Sequence, residues 1–295
     1  MHIRNPIEWM VAQLEAPAEI IGSAPPESYW PATRRAGAPE IQKITVADLR
    51  EAVRQGLDDF AVGRTDVIFV CLIYPVLGLF IAVAEAQGGV LPLLFPTASG
   101  FALVGPFFAV GLYEMSRQRE ITGKINWLEM FNVLRSPSIG SIISMGLLLI
   151  ALFFAWLVVA EGIYDVTLGP SPPVSAWRFV QDVLTTPAGW AIIVIGWSVG
   201  ALFAAGVLAI SVVSFPLLLD RQVGLGTAIA ASLVAVRRNP AQLALWGLFV
   251  AVALFVGMVP CFIGLVVVLP VLGHSTWHLY RRIVRPPAGI SPNRY

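Results

Sequence analysis

Histidine, carboxylate and arginine side chains that could do chemistry recur at the ends of the apolar stretches of this 295-residue chain. The residues that we expect to converge at the cytoplasmic membrane boundary are Glu114, Arg117, Asp220, Arg221, His274, His278 and Arg281. A guanidinium binds phosphate through two parallel hydrogen bonds, so the set could hold a small anion or a lipid headgroup. The interpretation that we favour is a structural ring of ion pairs and headgroup contacts, and catalysis is the remaining alternative.

His274 and His278 form the most site-like pair in the chain. A spacing of four residues places both imidazoles on one helix face, which can suit a shared metal. Two ligands are too few for a tight site, and Glu114 or Asp220 would have to supply a third. In the alternative, the two rings anchor the helix at the membrane interface, as amphipathic aromatic groups do. We therefore predict no bound metal and no cofactor.

The patterns of known catalytic motifs do not occur in the sequence. It contains no P-loop, no serine nucleophile elbow and no zinc-protease pattern. The apolar stretches hold no charged residue well inside, although proton relays and ion-coupled carriers depend on such residues. A net charge of +1 with dispersed Lys and Arg gives no indication of nucleic-acid binding. We predict no catalytic residues and no enzymatic activity.

The elements that position these residues are apolar helices. The chain is 57% hydrophobic and 13% charged, whereas soluble domains are about a quarter charged. A bilayer crossing needs about 20 apolar residues. The predicted crossings are 67–84, 98–113 extending toward 118, 139–160, 188–219, and two from 239–280, which Pro260 divides. The fourth is too long for one crossing and should project or break near Pro216.

The prediction is thus an all-α polytopic membrane protein with six transmembrane helices. The membrane domain covers 44–285, between a loosely ordered tail (1–43) without the charged-then-apolar order of a signal peptide and a C-terminal tail (286–295). Of the 19 Lys and Arg, Arg178 alone falls in an outer loop if both termini are cytoplasmic. This asymmetry predicts a multi-pass protein of the bacterial inner membrane in that orientation.

The layout indicates three hairpins, each preceded by a cytoplasmic amphipathic helix, at 46–60, 126–134 and 227–237. In the first, Leu49, Val53, Leu57 and Phe60 are predicted to be buried and Asp59 to lie on the polar side. Three parallel units would form a pseudo-threefold arrangement, although any six-span chain with short loops looks repetitive. A short helix after the prolines at 170–173 is predicted to lie in the outer interface. A Gly196–Gly200 step serves packing within the chain or a dimer face.

Several strings resemble a family of bacterial integral membrane proteins, domain of unknown function 2189. They include Gly105-Pro106, Gly111-Leu112-Tyr113-Glu114, Ser116-Arg117-Gln118-Arg119-Glu120, Ser214-Phe215-Pro216 and Leu269-Pro270-Val271-Leu272-Gly273-His274. The resemblance covers nearly everything after residue 40. It implies a six-helix inner-membrane protein and brings no activity and no site residues.

Two classes of function remain. One is a non-enzymatic membrane component that organises partners or lipid, with the bilayer as its first partner and a second copy or another membrane protein as a further one. The alternative is a low-specificity channel or carrier with a path among the three units. A polar-lined cavity across the midplane would favour transport, and a dry interior would favour the first class.

Overall fold

The computed structural model describes residues 39–71, 91–169 and 175–285, with the single positions 76, 78–80, 83 and 173. These residues are almost entirely helical, as predicted. The α-helices are α1 (Val46–Cys71), α2 (Leu94–Phe108), α3 (Val110–Thr122), α4 (Ile139–Thr167), α5 (Ala176–Thr185), α6 (Pro187–Ser211), α7 (Ser214–Asp220), α8 (Leu225–Arg238), α9 (Pro240–Met258) and α10 (Leu265–Ile283). Short 3₁₀ helices cover Leu91–Leu93 and Trp127–Arg135.

Among the described residues, four helical segments are long and apolar enough to cross a bilayer: Leu94–Thr122, Ile139–Thr167, Pro187–Asp220 and Pro240–Met258. They coincide with the predicted second, third, fourth and fifth crossings. The predicted first crossing, 67–84, lies mostly outside the described residues. α10 takes the place of the sixth, but its second half carries His274, His278 and Arg281, and it is not among the four. Six crossings and three hairpins therefore stay predictions.

The long apolar helices break where the backbone is locally constrained. α2 contains Pro106 and gives way to α3 at Ala109. α6 ends at Ser211 and α7 begins at Ser214, so the predicted break near Pro216 is confirmed. The division at Pro260 is also confirmed, because a turn at 259–264 separates α9 from α10. In that turn Cys261 and Phe262 adopt positive φ angles of 49° and 66°, a conformation that side chains disfavour.

Two helix starts follow the expected capping chemistry and one departs from it. The Asp48 carboxylate accepts from the Thr45 main-chain N–H at 2.7 Å, and the Thr45 hydroxyl accepts from the Asp48 N–H at 3.3 Å. This is a capping box with Asp in place of Glu. The Thr186 hydroxyl caps α6 by accepting the Gly189 N–H, without a reciprocal carboxylate. Asn239 instead uses its side chain to accept the Ile44 N–H at 2.8 Å, which ties the start of α9 to the segment before α1.

The predicted burial along α1 is partly wrong. Leu49 is buried, but Leu57 is 48% exposed and Asp59 only 2% exposed. The reason is the close approach of α1 to α10 at Gly56, which turns the buried stripe toward Asp59 and away from Leu57. The second predicted amphipathic helix is a 3₁₀ helix, Trp127–Arg135.

Ordered structure begins before the predicted boundary at residue 44. Ile41 is buried and forms an antiparallel bridge with Val284. The Arg238 guanidinium donates to the Ile41 carbonyl at 2.6 Å. Residues 39–43 thus belong to the folded unit, where they join the start of α9 to the end of α10.

The core is centred on α7, whose seven residues are all buried. Phe215, Leu217 and Leu218 are at most 1% exposed, and α3, α4 and α8 pack around them. Gly200 faces Trp156 within the chain, whereas nothing lies within 4 Å of a Cβ added at Gly196. This packing places Asp220, at the end of α7, beside the polar ends of α3 and α10.

Candidate functional site

Asp59 is the centre of a buried polar cluster that joins α1, α3 and α10. Its Oδ2 lies 2.5 Å from Ser116 Oγ and 2.9 Å from His278 Nε2. Arg119 donates to the other carboxylate oxygen. Ser116 Oγ also lies 2.8 Å from His274 Nδ1. We call these five residues the Asp59 cluster.

The donor and acceptor inventory fixes the protons of the Asp59 cluster. An ionised carboxylate only accepts, so Ser116 donates its single proton to Asp59 and His278 donates from Nε2–H. Because the Ser116 proton is used, the contact with His274 requires an Nδ1–H donor on that ring. The carboxylate therefore receives hydrogen bonds from α3 and α10 at the same time, which locks α1 against both.

Gly56 makes this meeting of helices possible. It lies one turn before Asp59 on α1 and faces Ser275 of α10. A Cβ at Gly56 would lie 2.1 Å from Ser275 Oγ and 2.6 Å from its main-chain nitrogen. A Cβ does not approach non-bonded atoms this closely, so a side chain at this position would force α1 and α10 apart.

The surroundings of Asp59 favour its ionised form. Burial acts to raise its pKa, but the hydrogen bond and charge of His278 oppose burial, and Ser116 and His274 add to that opposition. The net result is a pKa below the ordinary value of an aspartate. The group is therefore a carboxylate at neutral pH, consistent with its role as acceptor.

Glu114 and Arg117 pair with each other on α3. Arg117 donates to both Glu114 oxygens, at 2.7 and 2.8 Å, and Gln118 donates to one of them at 2.8 Å. The side chains of Glu114 and Arg117 are at most 1% exposed. On the neighbouring 3₁₀ helix, burial first and then the charge of Glu114 raise the pKa of Glu129.

The remaining predicted residues form a chain of contacts around Glu120 and Asp220. Arg281 donates to Glu120 at 2.7 Å and lies over the ring of Trp277. The Tyr280 hydroxyl donates to Asp220 at 2.8 Å, and Arg221 donates to the Arg285 carbonyl at 2.5 Å. Arg281 Nη1 also lies 3.7 Å from Asp220. Arg281 therefore links the contacts around Glu120 to those around Asp220.

The seven predicted residues thus fall into three groups. His274 and His278 lie in the Asp59 cluster, Glu114 pairs with Arg117, and Asp220, Arg221 and Arg281 lie around Tyr280 and Glu120. The apolar periodicity of α1 predicts that Asp59, the centre of the first group, lies on the polar face, whereas the structure buries it. The burial of Asp59 could have been predicted from the small residues at 52, 56 and 63 on the same face of α1, because a stripe of small residues indicates close helix packing.

The chemistry open to the Asp59 cluster is limited by its geometry. Serine, histidine and aspartate are the residue types of a hydrolase triad, but here Asp59 bonds the serine directly and lies 3.9 Å from His274. Ser116 and His274 are also fully buried. Over the described part of the chain no group of three His, Cys, Asp or Glu has a metal-binding arrangement. Glu114 and Asp220, the proposed third ligands, pair elsewhere.

An apolar cleft lies between α2 and the hairpin of α9 and α10. Ala98, Ala102 and Leu112 line one wall, and Leu254 and Leu269 lie on the other. The cleft is open on one side, and its cavity volume is about 100 Å³. From Ala98 to Leu112 the wall runs for about 20 Å at 1.5 Å per residue. The described lining side chains are hydrocarbon apart from the thioether of Met258.

The cleft ends one helical turn from the Asp59 cluster. Leu112 precedes Ser116 by four residues on α3, and Leu269 precedes His274 by five on α10. A Cβ at Gly273 would lie 2.6 Å from Leu112 Cδ1, so α3 and α10 close tightly at this point. The polar cluster is therefore sealed from the cleft by apolar contact.

Comparison with known proteins bears on the middle of the chain. Residues 94–220 match the model of a family described as predicted integral membrane protein (DUF2189). The match confirms the family resemblance over these residues, which hold three of the four candidate spans. No curated protein and no solved structure shows significant similarity to the chain. The protein is accordingly an integral membrane protein with several apolar helices.

Proposed function

We propose that this protein is a non-enzymatic membrane component that binds the hydrocarbon chain of a membrane lipid in the cleft between α2, α9 and α10. It resides in the bacterial inner membrane with both termini in the cytoplasm, as the distribution of basic residues indicates. The role that follows is lipid organisation, since a lipid whose acyl chain is bound stays with the protein while the other lipids of the bilayer diffuse away.

The observation that carries the proposal is the apolar character of the cleft. Its walls include parts of two candidate membrane spans, Leu94–Thr122 and Pro240–Met258, and Gly78 of the predicted first crossing. We therefore infer that the cleft lies at the depth of the hydrocarbon core. One leaflet of the hydrocarbon core is about 15 Å thick, and the wall of about 20 Å is long enough for one acyl chain. Ala98, Ala102 and Gly105 leave room along the α2 wall.

The polar groups at the cytoplasmic boundary support a structural role. Arg117 pairs with Glu114, Arg281 with Glu120 and Arg119 with Asp59. An arginine whose fork is already engaged by a buried carboxylate binds a phosphate only by giving up that pair. These pairs hold the helices that shape the cleft, rather than a ligand of their own.

Filling the cleft tests the proposal. In Ala102→Trp a bulky ring occupies the α2 wall, and Ala205→Trp is the matched control on the exposed side of α6. Native mass spectrometry of protein purified in mild detergent should show retained lipid on wild type and on the control, and its loss from Ala102→Trp. All three proteins should unfold at similar temperatures. Equal lipid retention by both variants, or none by wild type, would contradict the proposal.

The alternative is a low-specificity channel or carrier. It draws on the helix breaks at Ala109 and at Val212–Val213, because discontinuous spans form the substrate sites of many transporters. Proteoliposomes loaded with small solutes decide this point. Solute efflux that depends on the protein would favour the alternative, and efflux equal to that of empty liposomes would favour the lipid-binding role.

A further inference from the structure

α5, the ten-residue helix between the spans α4 and α6, has an unusual distribution of side chains. At about 100° per residue, Val180, Leu184 and Trp177 lie within about 60° of arc. The polar residues Gln181, Thr185 and Arg178 occupy a second arc of similar width. The two sets are separated by about 100° between their centres, so a surface can bury one while the other stays in water.

The apolar arc is exposed although the helix also packs on the protein. Trp177 is 70% exposed, Leu184 56% and Val180 44%. A third side of the helix, with Phe179 and Val183, is half-buried, and the ring of Phe179 lies 6.3 Å from that of Tyr164 on α4. The helix therefore has a side for the protein, a side for water and an apolar side that no described residue covers.

α5 is held rigidly at its junction with α6. The Thr186 hydroxyl accepts the Gly189 N–H at 2.9 Å and donates to the Asp182 carbonyl at 2.6 Å. A Cβ at Gly189 would lie 2.3 Å from the carbonyl oxygens of Asp182 and Val183. Glycine is thus needed for the end of α5 to sit on the start of α6. The orientation of the apolar arc is set by the span itself.

We propose that α5 lies in the membrane interface, with Trp177, Val180 and Leu184 inserted among the lipids. This interface is the one at the C-terminal end of α4 and the N-terminal end of α6. The argument is continuity with the bilayer-facing surface. α4 and α6 are both candidate membrane spans, and Trp190 and Val194, in the first turns of α6, are themselves 56% and 61% exposed. A single residue, Thr186, separates α5 from α6 along the chain.

The residue types of α5 fit contact with lipid headgroups better than contact with another protein. Tryptophan is enriched at the depth of the lipid headgroups, where an apolar body meets a polar tip. On the polar side Arg178 and Asp182 lie 3.5 Å apart as an exposed ion pair. Inserted this way, α5 fixes the depth and rotation of α4 and α6 in the bilayer. This inference does not depend on the cleft or its ligand.

Spin labels on the two arcs test the placement. Full-length protein lacking Cys71 and Cys261 is labelled at Val180→Cys or Leu184→Cys on the apolar arc, and at Gln181→Cys or Thr185→Cys on the polar arc. The proteins are reconstituted in vesicles of phosphatidylethanolamine and phosphatidylglycerol. Accessibility to oxygen, which concentrates in the bilayer, is then compared with accessibility to a water-soluble nickel complex.

We expect labels at 180 and 184 to be more accessible to oxygen, and labels at 181 and 185 to be more accessible to nickel. Nickel preference at all four positions would place α5 in water and overturn the inference. Shielding of 180 and 184 from both reagents would mean that a protein, such as a second copy, covers the arc, and would overturn it as well. Two positions on each arc ensure that one poorly folding variant does not decide the result.

Discussion

At the scale of single residues, Asp59 determines how three helices meet. Its carboxylate is shared between Ser116 of α3, Arg119 of α3 and His278 of α10. Hydrogen bonds to a charged group are about twice as strong as neutral ones, and a buried partner left behind adds its desolvation cost. A change at Asp59 should therefore affect the whole joint rather than α1 alone.

We predict that Asp59→Asn lowers the free energy of unfolding by about 1.5–3 kcal/mol, the contribution of a hydrogen-bonded charged group. The control is Asp58→Asn on the next residue, whose carboxylate is 54% exposed and pairs with Arg54. Exposed pairs contribute about 0–1 kcal/mol. Denaturant titration in mixed micelles measures both, and similar losses for the two variants would show that Asp59 has no special role.

The pH dependence of the same variant follows from the lowered pKa of Asp59. A carboxyl group whose pKa is depressed by folding stabilises the protein above its ordinary pKa, about 3.9, and loses that contribution as pH falls through the folded-state value. The stability difference between wild type and Asp59→Asn should therefore persist at pH 5 and 7 and shrink below about pH 4. A difference that instead grew in acid would contradict the assigned direction.

At the scale of elements, the contact of α1 with α10 depends on Gly56. We predict that Gly56→Ala lowers the free energy of unfolding by about 1–3 kcal/mol, the range for overpacking a close contact. Gly140→Ala is the matched control, since a Cβ there meets nothing within 4 Å. The control should be neutral or slightly stabilising, because alanine favours helix by about 1 kcal/mol over glycine. Thermal unfolding in detergent separates the two; equal melting temperatures would contradict the prediction.

The elements also show what a sequence can and cannot predict here. Crossings two to five were predictable because a charge-free run of about 20 residues has the length that a bilayer crossing requires. The break at Pro260 was predictable because proline interrupts a helix through its own missing N–H and ring, whatever its tertiary contacts. The burial of Asp59 depends on which face of α1 meets α10, and that is a tertiary choice. The 126–134 segment has helical periodicity but forms a 3₁₀ helix.

The residues of the candidate site could be predicted from the sequence, but which of them contact one another could not. Polar residues spaced three or four apart after an apolar run indicate a buried or interfacial cluster, and the seven that were singled out lie on α3, α7 and α10 or, for Arg221, directly after α7. Which carboxylate takes which arginine depends on the relative rotation of those helices. The apolar cleft could not be predicted from the sequence, because the pattern around Ala102 or Leu254 is the same whether the residue faces lipid or another helix.

At the scale of the whole molecule, the distribution of basic residues predicts the orientation in the membrane. With both termini cytoplasmic, reporter fusions in the loop at 121–136 should read cytoplasmic, and a fusion after Pro172 should read periplasmic. The physical reason is the cost of moving Lys and Arg near span ends across the membrane. A C-terminal fusion that reads periplasmic would reverse or break this topology.

The lipid cleft is the claim on which the proposed function rests, and cross-linking in the membrane measures its occupancy directly. Phospholipids with a photoactivatable group in the acyl chain are incorporated into membranes that contain the full-length protein, and the adducts are mapped by mass spectrometry. We predict that adducts concentrate on Ala102, Leu254 and Met258 relative to Val194 and Leu202, which are more than 60% exposed on α6 and contact bulk lipid. Adducts distributed according to exposure alone, with no excess in the cleft, would contradict the account.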